Sequence, residues 1–365
     1  MNIIKSIKEA PRAIIYGQAD YAARVESYTM AIQPNLQLTR LVLPLDADQP
    51  DATIFDFEQL DAMLQSENRM TLLLVAFSKK YYGQLSLKFK QMGFRKVIYY
   101  EPSVDNLLKT EFFRQYFQEQ QRLFFLLRDL PDEHEAQPCS LSVYMACHIA
   151  DKQLQYSPKL SKHIVPIQVG AALTEQRLTE VTDAEGENIS ERNSHYSEMT
   201  AFYWMWKHGK TDWLGLCHYR RLFVDLDGIA IKLARVEVDA LLPLPTLCEK
   251  SVYKDYMLKH IPQVWQPLMD VMKERSPEYY QAAKEIYQDR VFYASNMCIL
   301  RRNVLDDLCS WMFPIVMEVE RRVGDLPDRY YNRYAGFCTE RLITLYFLYN
   351  KRHWRIAHVE KIFCA

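Results

Sequence analysis

Short apolar runs alternate with amphipathic stretches along the first third of the chain. Runs of strand length lie at residues 12–17, 38–44, 70–77 and 96–100. Segments with helical spacing lie between and after them, at residues 57–65, 81–94 and 114–130. Strands and helices that alternate at these lengths predict a doubly wound, mainly parallel sheet of the Rossmann-like α/β class.

A polar, acidic segment flanked by prolines, PDEHEAQP (131–138), interrupts this pattern and predicts a domain boundary. The first domain would then comprise residues 1–130 and the second residues 140–365. In the second domain, residues 194–208 have helical spacing, and helices dominate from about residue 250 onward. Apolar runs there predict strands at residues 140–149, 162–173, 212–217 and 290–302.

The N-terminal domain lacks the glycine pattern of a dinucleotide site. Gly17 follows the first strand in IIYGQADYAA, as a single glycine and not as part of GxGxxG. Without a second glycine the backbone cannot approach a pyrophosphate closely. A structural or regulatory role therefore fits this domain better than cofactor binding.

Composition narrows the possible partners. The formal net charge is -1, so no overall positive field favours nucleic acid. The eight cysteines include no CxxC pair, which favours reduced thiols in an intracellular protein. The N-terminus does not resemble a signal peptide, and no apolar run approaches the roughly 20 residues of a membrane span. We therefore expect a cytoplasmic protein.

The predicted strand at residues 212–217 ends abruptly in His218, Tyr219, Arg220 and Arg221. In open α/β sheets ligands bind outside the carboxyl ends of the strands, where these side chains would lie. The planar fork of arginine suits the oxygens of a phosphate, and alternation along an extended chain would direct one arginine into the cleft. The alternative is a pair of arginines in surface or interdomain salt bridges.

Three short polar residues precede the helical segment that contains Glu198, namely Asn188, Ser190 and Asn193. Helix capping explains one of them, and a polar loop that also holds a ligand explains all three. Glu198 lies beside an aromatic stripe that is more typical of a core. A carboxylate buried there would have a raised pKa, as a general base requires.

Further polar candidates lie towards the C-terminus. Asn296 interrupts the predicted strand at residues 290–302, at a position suited to sugar hydroxyls. Glu340 and Arg341 precede an apolar helix, where Glu340 could equally serve the helix dipole. His260 is a lone histidine before Ile261 and a proline, and it becomes a candidate if it faces the cleft.

No metal site is expected. The position after the central strand, where many sugar-nucleotide transferases carry an Asp-x-Asp pair, holds histidine, tyrosine and arginine. Asp225 and Asp227 have that spacing in FVDLDG, but an aspartate pair before glycine is typical of a turn. Arginine could neutralise a diphosphate leaving group in place of Mg²⁺ or Mn²⁺. Both metals are therefore disfavoured.

Four ordered motifs carry a family resemblance. They are GENISERNSHYSEMTAFYWMWKH, GLCHYRRLF, NMCIL and GFCTERL. Together they resemble a bacterial family of glycosyltransferases from capsule, exopolysaccharide and O-antigen (lipopolysaccharide) gene clusters, formerly a domain of unknown function. The resemblance covers residues from about 140 to 360. It implies a GT-A-like α/β domain with a helical, acceptor-binding C-terminal part.

The resemblance implies a hexosyltransferase that moves a sugar, such as galactose or galactofuranose, from a UDP-sugar to a growing glycan. A glycan or lipid-linked oligosaccharide would be the acceptor, and a lipid-linked one would require only peripheral contact with the inner membrane. The alternative is a protein that binds a nucleotide or glycan without catalysis.

On this hypothesis the site residues have three roles. Glu198, Glu340 and His218 would be catalytic. The donor and its diphosphate would contact His148, Asn188, Ser190, Asn193, Tyr219, Arg220 and Arg221. The acceptor sugar would contact Asn296, His260 and Arg341.

Overall fold

The structure, a computed structural model, describes residues 2–43, 57–58, 60, 62, 71–77, 81–154 and 158–364. The chain divides into two compact units, Met1–Phe124 and Phe125–Ala365. The division lies ahead of the 131–138 segment, because the residues from Phe125 onward pack with the second unit.

The first unit contains a parallel sheet with the strand order β2-β1-β3-β4 among the described residues. Its strands are β1 Arg12–Gln18, β2 Gln37–Leu43, β3 Leu72–Ala76 and β4 Val97–Tyr99. Its helices are α1 Ile3–Lys8, α2 Ala19–Ile32, α3 Tyr82–Gln91 and α4 Pro102–Glu119. The mainly parallel α/β sheet is confirmed, whereas most of the predicted helix at 57–65 lies outside the described residues.

Gly17 serves close packing within this sheet. It pairs with Ala76 of β3, and a Cβ added to Gly17 would lie 2.3 Å from the Ala76 carbonyl oxygen. A larger residue would therefore push the two strands apart. This contact explains the glycine without a nucleotide.

The predicted helix at 114–130 is wrong in its second half. Helix α4 ends at Glu119, and Gln121 adopts a left-handed φ of 54°. That conformation stops the helical hydrogen bonds although the apolar spacing continues. Leu126 instead pairs with His358 in the second unit.

The second unit is built on a mixed sheet with nine strands among the described residues, in the order β14-β10-β13-β8-β5-β6-β7, with β9 and β15 joined to β8. The first strands are β5 Leu141–Cys147, β6 Ile164–Gln168, β7 Val181–Thr182, β8 Trp213–His218 and β9 Arg221–Phe223. The later ones are β10 Ala240–Pro243, β13 Cys298–Arg301, β14 Ile356–Val359 and β15 Lys361–Phe363. A separate antiparallel pair consists of β11 Thr246–Leu247 and β12 Val291–Phe292.

Helices surround this sheet. They are α5 Asn193–Tyr196, α6 Met199–His208, α7 Leu226–Leu233, α8 Val252–Lys259, α9 Pro262–Arg275, α10 Pro277–Ile286, α11 Arg302–Val323 and α12 Tyr334–Tyr349. Short 3₁₀ turns lie at Leu127–Asp129, Ala171–Leu173, Ser190–Arg192 and Tyr331–Arg333. No helix in the described parts of the chain is both long and apolar enough to cross a membrane.

Strand β8 lies at the centre of the sheet, and all of its residues before His218 are buried. Gly215 is required there, because an added Cβ would lie 2.8 Å from Ile299 and 3.2 Å from Val143 on the neighbouring strands. The apolar run predicted this strand correctly.

Two other predicted elements are each broken in two. The helix predicted at 194–208 is interrupted at Ser197, which has a φ of 51°. The strand predicted at 290–302 is interrupted at Ser295 and Asn296, whose φ values are 80° and 50°. Non-glycine residues rarely adopt positive φ without compensating contacts, and such residues concentrate at functional sites. Both breaks lie at the candidate site described next.

Candidate active site

The site lies where the strand order of the second sheet reverses. The chain runs from β5 to β6 and β7 on one side, and then returns to place β8 on the other side of β5. Strands β5 and β8 are parallel, and Ala146 pairs with His218 at their carboxyl ends. Such a switch point is where open α/β sheets bind ligands.

His218 ends β8 and is held in one orientation. Its Nε2 donates to the carbonyl oxygen of Ser295 over 2.6 Å. Burial lowers the pKa of His218, with the Glu198 carboxylate acting in the opposite direction. The imidazole is therefore neutral near pH 7, and its Nε2 carries the proton because a carbonyl can only accept.

Glu340 meets the same strained loop from helix α12. Its Oε1 accepts from the backbone N–H of Ser295 over 2.5 Å, and its Oε2 accepts from Arg341 over 2.8 Å. Burial raises the pKa of Glu340, and the negative charge of Glu198 raises it further. Ser295 thus links His218 and Glu340 through its own backbone.

Asn296 places the second carboxylate. Its Nδ2 donates to Glu198 Oε1 over 2.8 Å and to the carbonyl oxygen of Gly336 over 3.1 Å. Asn296 is 1% exposed, yet among the described residues its Oδ1 has no hydrogen-bond partner. Buried polar atoms without a partner are rare in folded proteins, and this one lies beside the Glu198 carboxylate.

Cations face these two carboxylates. Burial and the neighbouring Arg220 lower the pKa of Arg221, whereas Glu198 and Glu340 act to raise it. The guanidiniums of Arg220 and Arg221 each lie 5.4 Å from the centre of the Phe363 ring. Within the part of the chain that the structure describes, the buried Nε of Arg220 has no hydrogen-bond partner. Arg221 thus lies near both carboxylates, and Arg220 adjoins it at the end of β8, so a role in donor binding stays a prediction for both.

The turn after β5 completes this edge of the sheet. The backbone N–H of His148 donates to Asp151 over 2.7 Å, and its Nδ1 accepts from Ala150 over 3.0 Å. The Tyr219 hydroxyl accepts from the backbone N–H of Lys152 over 3.3 Å. His148 and Tyr219 therefore lie on adjoining segments, as the sequence predicts.

The polar loop before the helices is occupied by its own hydrogen bonds. The buried carboxylate of Asp183 accepts from the N–H groups of Gly170 and Ala171 and from the Ser190 hydroxyl. Ser190 also accepts from the N–H of Ala172 over 3.0 Å. The backbone donors that follow β6 are thereby satisfied within the protein.

Asn188 and Asn193 have similar roles in this loop. Asn188 donates to the carbonyl oxygens of Ala184 and Gly186 and accepts from the N–H of Ser190. Asn193 donates to the Ser197 carbonyl oxygen over 2.8 Å, so it supports the turn before Glu198. These contacts are structural, and a direct role of the three residues in donor binding stays a prediction.

Arg341 does not fit the predicted role of contacting the acceptor directly. It is 1% exposed and is enclosed by Glu340, by Asp255 at 3.4 Å, and by the rings of Tyr256 and Phe292. A guanidinium at this depth reaches no glycan. It fixes the Glu340 carboxylate instead.

His260 lies at the edge of the same region. Its ring stacks on Phe337, with 4.0 Å between ring centres, and no described residue forms a hydrogen bond with its buried Nδ1. Burial lowers the pKa of His260 to about 3. The ring is therefore neutral and retains unused hydrogen-bonding capacity.

Sequence reasoning missed three contributors, Ser295, Lys361 and Phe363. Lys361 Nζ lies 3.3 Å from the Ala294 carbonyl oxygen and 3.5 Å from Ser295 Oγ. It reaches the site because β15 pairs with β9, which sets Phe363 opposite Arg221. The one signal in the sequence was the basic segment KRHWRIAHVEK, which ends in Lys361.

Positive charge at the end of β8 disfavours a divalent metal there. Arg220 and Arg221 are cations whose guanidiniums offer no lone pair to a metal ion. Asp225 caps helix α7 by accepting from the N–H of Gly228, and Asp227 accepts from Ser161 over 2.7 Å. Within the described residues, no three acidic, histidine or cysteine side chains are grouped to hold a metal.

Comparison with known proteins adds a family. Residues 142–351 match a domain of unknown function, DUF4422, over more than half of the chain. The chain belongs to the DUF4422 family. The match includes the strands and helices that carry Glu198, His218 and Glu340. A search of curated proteins found no match.

The apo structure of WbbM, a bifunctional glycosyltransferase, has a similar fold. The TM-score is 0.56 at 23% sequence identity, over 62% of this DUF4422 chain and 45% of the WbbM chain. The chain thus spans less than half the length of that protein. The likeness shows a fold that a glycosyltransferase also uses.

Proposed function

We propose that this DUF4422 protein is a glycosyltransferase that moves a hexose from a UDP-sugar to a growing bacterial surface polysaccharide. One observation carries the proposal. Carboxylates and cations lie close together at the switch point of the sheet. Glu198 and Glu340 both act to raise the pKa of Arg221, and Lys361 acts to lower the pKa of Glu340. Transfer of a sugar from a diphosphate needs both, a base for the acceptor and positive charge for the leaving group.

In this proposal the cationic side chains bind the donor. Arg220, Arg221 and Lys361 surround the end of β8 and would stabilise the negative charge that develops on the departing diphosphate. Neutral His218 donates to Ser295 and so fixes the loop that faces this charge. Arginine and lysine can act here without a metal, which is the metal-independent route we propose.

Glu198 is the better candidate for the base. Glu340 is bound to Arg341 and to the Ser295 backbone, so its oxygens are already used. Glu198 is only partly buried and is oriented by Asn296. In the proposed step the acceptor oxygen bonds to the anomeric carbon and its proton passes to Glu198. The bond from that carbon to the diphosphate breaks, and its electron pair leaves with the diphosphate.

Thermal unfolding with nucleotides tests the proposal directly. A ligand that binds only the folded protein raises the midpoint by mass action. We expect UDP to raise it more than ADP or GDP, with Mn²⁺ and with EDTA alike. Release of UDP from a panel of UDP-hexoses then separates catalysis from mere binding. No shift with any nucleoside diphosphate would contradict the proposal.

A lipid-linked acceptor would determine where in the cell the protein acts. A lipid-linked oligosaccharide would lie at the inner face of the cytoplasmic membrane, and peripheral association there would suffice. Sedimentation of the protein with vesicles that contain anionic lipid tests this point, with neutral vesicles as the control.

A further inference from the structure

A row of neighbouring aromatic rings borders the candidate active site. The His260 and Phe337 rings stack at 4.0 Å, Phe337 lies 5.4 Å from Tyr330, and Tyr330 lies 5.5 Å from Tyr331. The guanidinium of Arg333 lies 6.0 Å from the Phe337 ring. We call these four rings, His260, Tyr330, Tyr331 and Phe337, the aromatic row.

The outer half of the row is exposed although its backbone is firmly held. Tyr330 is 52% exposed and Tyr331 is 40% exposed. One carboxylate oxygen of Asp328 accepts from the backbone N–H groups of both tyrosines at 2.9 Å. Large apolar rings that are ordered and yet exposed together mark binding surfaces more often than chance.

Two short links connect the row to the proposed base, Glu198. The carbonyl oxygen of Gly336, next to Phe337, accepts from Asn296, which in turn donates to Glu198. Arg333 Nε donates to Ser197 Oγ over 2.7 Å, directly before Glu198. A ligand on the row would therefore extend away from the proposed base.

We propose that the aromatic row is a stacking subsite for the acceptor glycan, an inference that rests on the proposed function. One face of a hexose ring carries C–H bonds, which pack against the electron-rich face of an aromatic ring. The tyrosine hydroxyls and the exposed Arg333 supply hydrogen bonds for the sugar hydroxyls. Rings interleaved with such polar groups suit a carbohydrate better than a lipid surface.

Glycan binding by matched variants tests the subsite. The probe is an array of immobilised oligosaccharides with hexopyranose, hexofuranose and deoxyhexose termini, applied to the full chain. Tyr330→Ala and Tyr331→Ala are compared with Tyr349→Ala, whose ring is 41% exposed but outside the row. We expect about tenfold weaker glycan binding for each variant in the row and no change for the control.

UDP binding is measured on the same samples by the shift in the thermal unfolding midpoint. This measurement separates the inference from the proposed function. Row variants that lose glycan but keep the UDP shift support the subsite. If glycan binding depends on the tyrosines but UDP does not bind, the row is still supported as a glycan-binding site. In that outcome only the glycosyltransferase proposal is contradicted. The inference is overturned if no array member binds, if row and control variants bind equally, or if the tyrosine changes instead dissolve a dimer.

Discussion

Asn296 donates a 2.8 Å hydrogen bond to the carboxylate of Glu198, across a gap of almost a hundred residues in the sequence. This bond fixes the proposed base, because Asn296 is itself held by Gly336 and by the strained turn at its own backbone. The amide thus positions Glu198 without being placed to react.

Replacing this amide tests the arrangement. Asn296→Ala should lower kcat about 10²-fold through misplacement of the base, with little change in KM for the donor. Glu198→Gln should abolish transfer and leave UDP binding intact. Initial rates of UDP release measure both effects, with thermal unfolding as the check on folding. Full activity of Glu198→Gln would remove Glu198 from the mechanism.

The two arginines at the end of β8 give the second prediction. Arg220→Ala and Arg221→Ala should each lower turnover by about 10²–10³, as the loss of one donor to a developing negative charge does elsewhere. Arg352→Ala, an exposed arginine outside the site, should retain wild-type rates. If both site variants retained normal activity, the leaving-group role would be wrong.

Lys361 should bind the diphosphate by electrostatic attraction between its ammonium group and the phosphates. Lys361→Ala is expected to weaken binding of UDP more than binding of UMP, because the second phosphate carries the additional negative charge. The difference should shrink at high salt, where screening is stronger. Titration calorimetry at two salt concentrations measures it, with Lys250→Ala as the exposed control. Equal weakening for UDP and UMP would argue against a contact to the diphosphate.

The sequence predicted the sheets well because buried central strands are continuous apolar runs. Strand β8 illustrates this, since its burial follows from its composition alone. The predictions failed at Gln121, Ser197 and Ser295, where a residue with positive φ ends an element inside an unbroken pattern. The side chains there do not signal the turn, so hydrophobic spacing cannot locate it.

The candidate site was predictable where chemistry follows a strand end, as at His218 and Arg221. It was not predictable where a contact depends on pairing between distant segments. Lys361 reaches the Ser295 loop only because β15 pairs with β9. The burial of Arg341 was not predictable either. Nothing in GFCTERL distinguishes an arginine that is buried from one that contacts an acceptor.

Glu340 combines structural and electrostatic roles, and two substitutions separate them. Glu340→Ala removes the main partner of the buried Arg341, so the free energy of unfolding should fall by about 3–5 kcal/mol. Glu340→Gln retains an oxygen for the Ser295 N–H, so its free energy of unfolding should fall less. Urea unfolding measures both changes. Equal loss in the two variants would assign the stabilisation to the charge and not to the hydrogen bond.

Acid should destabilise the second unit through its buried neutral histidines. Burial lowers the pKa of His358 to about 4, and the ring is held between the Tyr293 hydroxyl and the Phe125 carbonyl oxygen. The unfolded chain binds a proton near pH 6.5 and the folded one does not, so this stability is present above pH 6.5 and lost as the pH falls towards 4.

For one such histidine the slope is roughly 1.4 kcal/mol per pH unit over that window. His358→Gln should lower the measured slope by about this amount, because glutamine retains a donor and an acceptor but does not titrate. His353→Gln, at an exposed position, should leave the slope as it is. Urea unfolding between pH 4 and pH 7 provides the comparison. If His358→Gln kept the wild-type slope, the acid sensitivity would have to come from other groups.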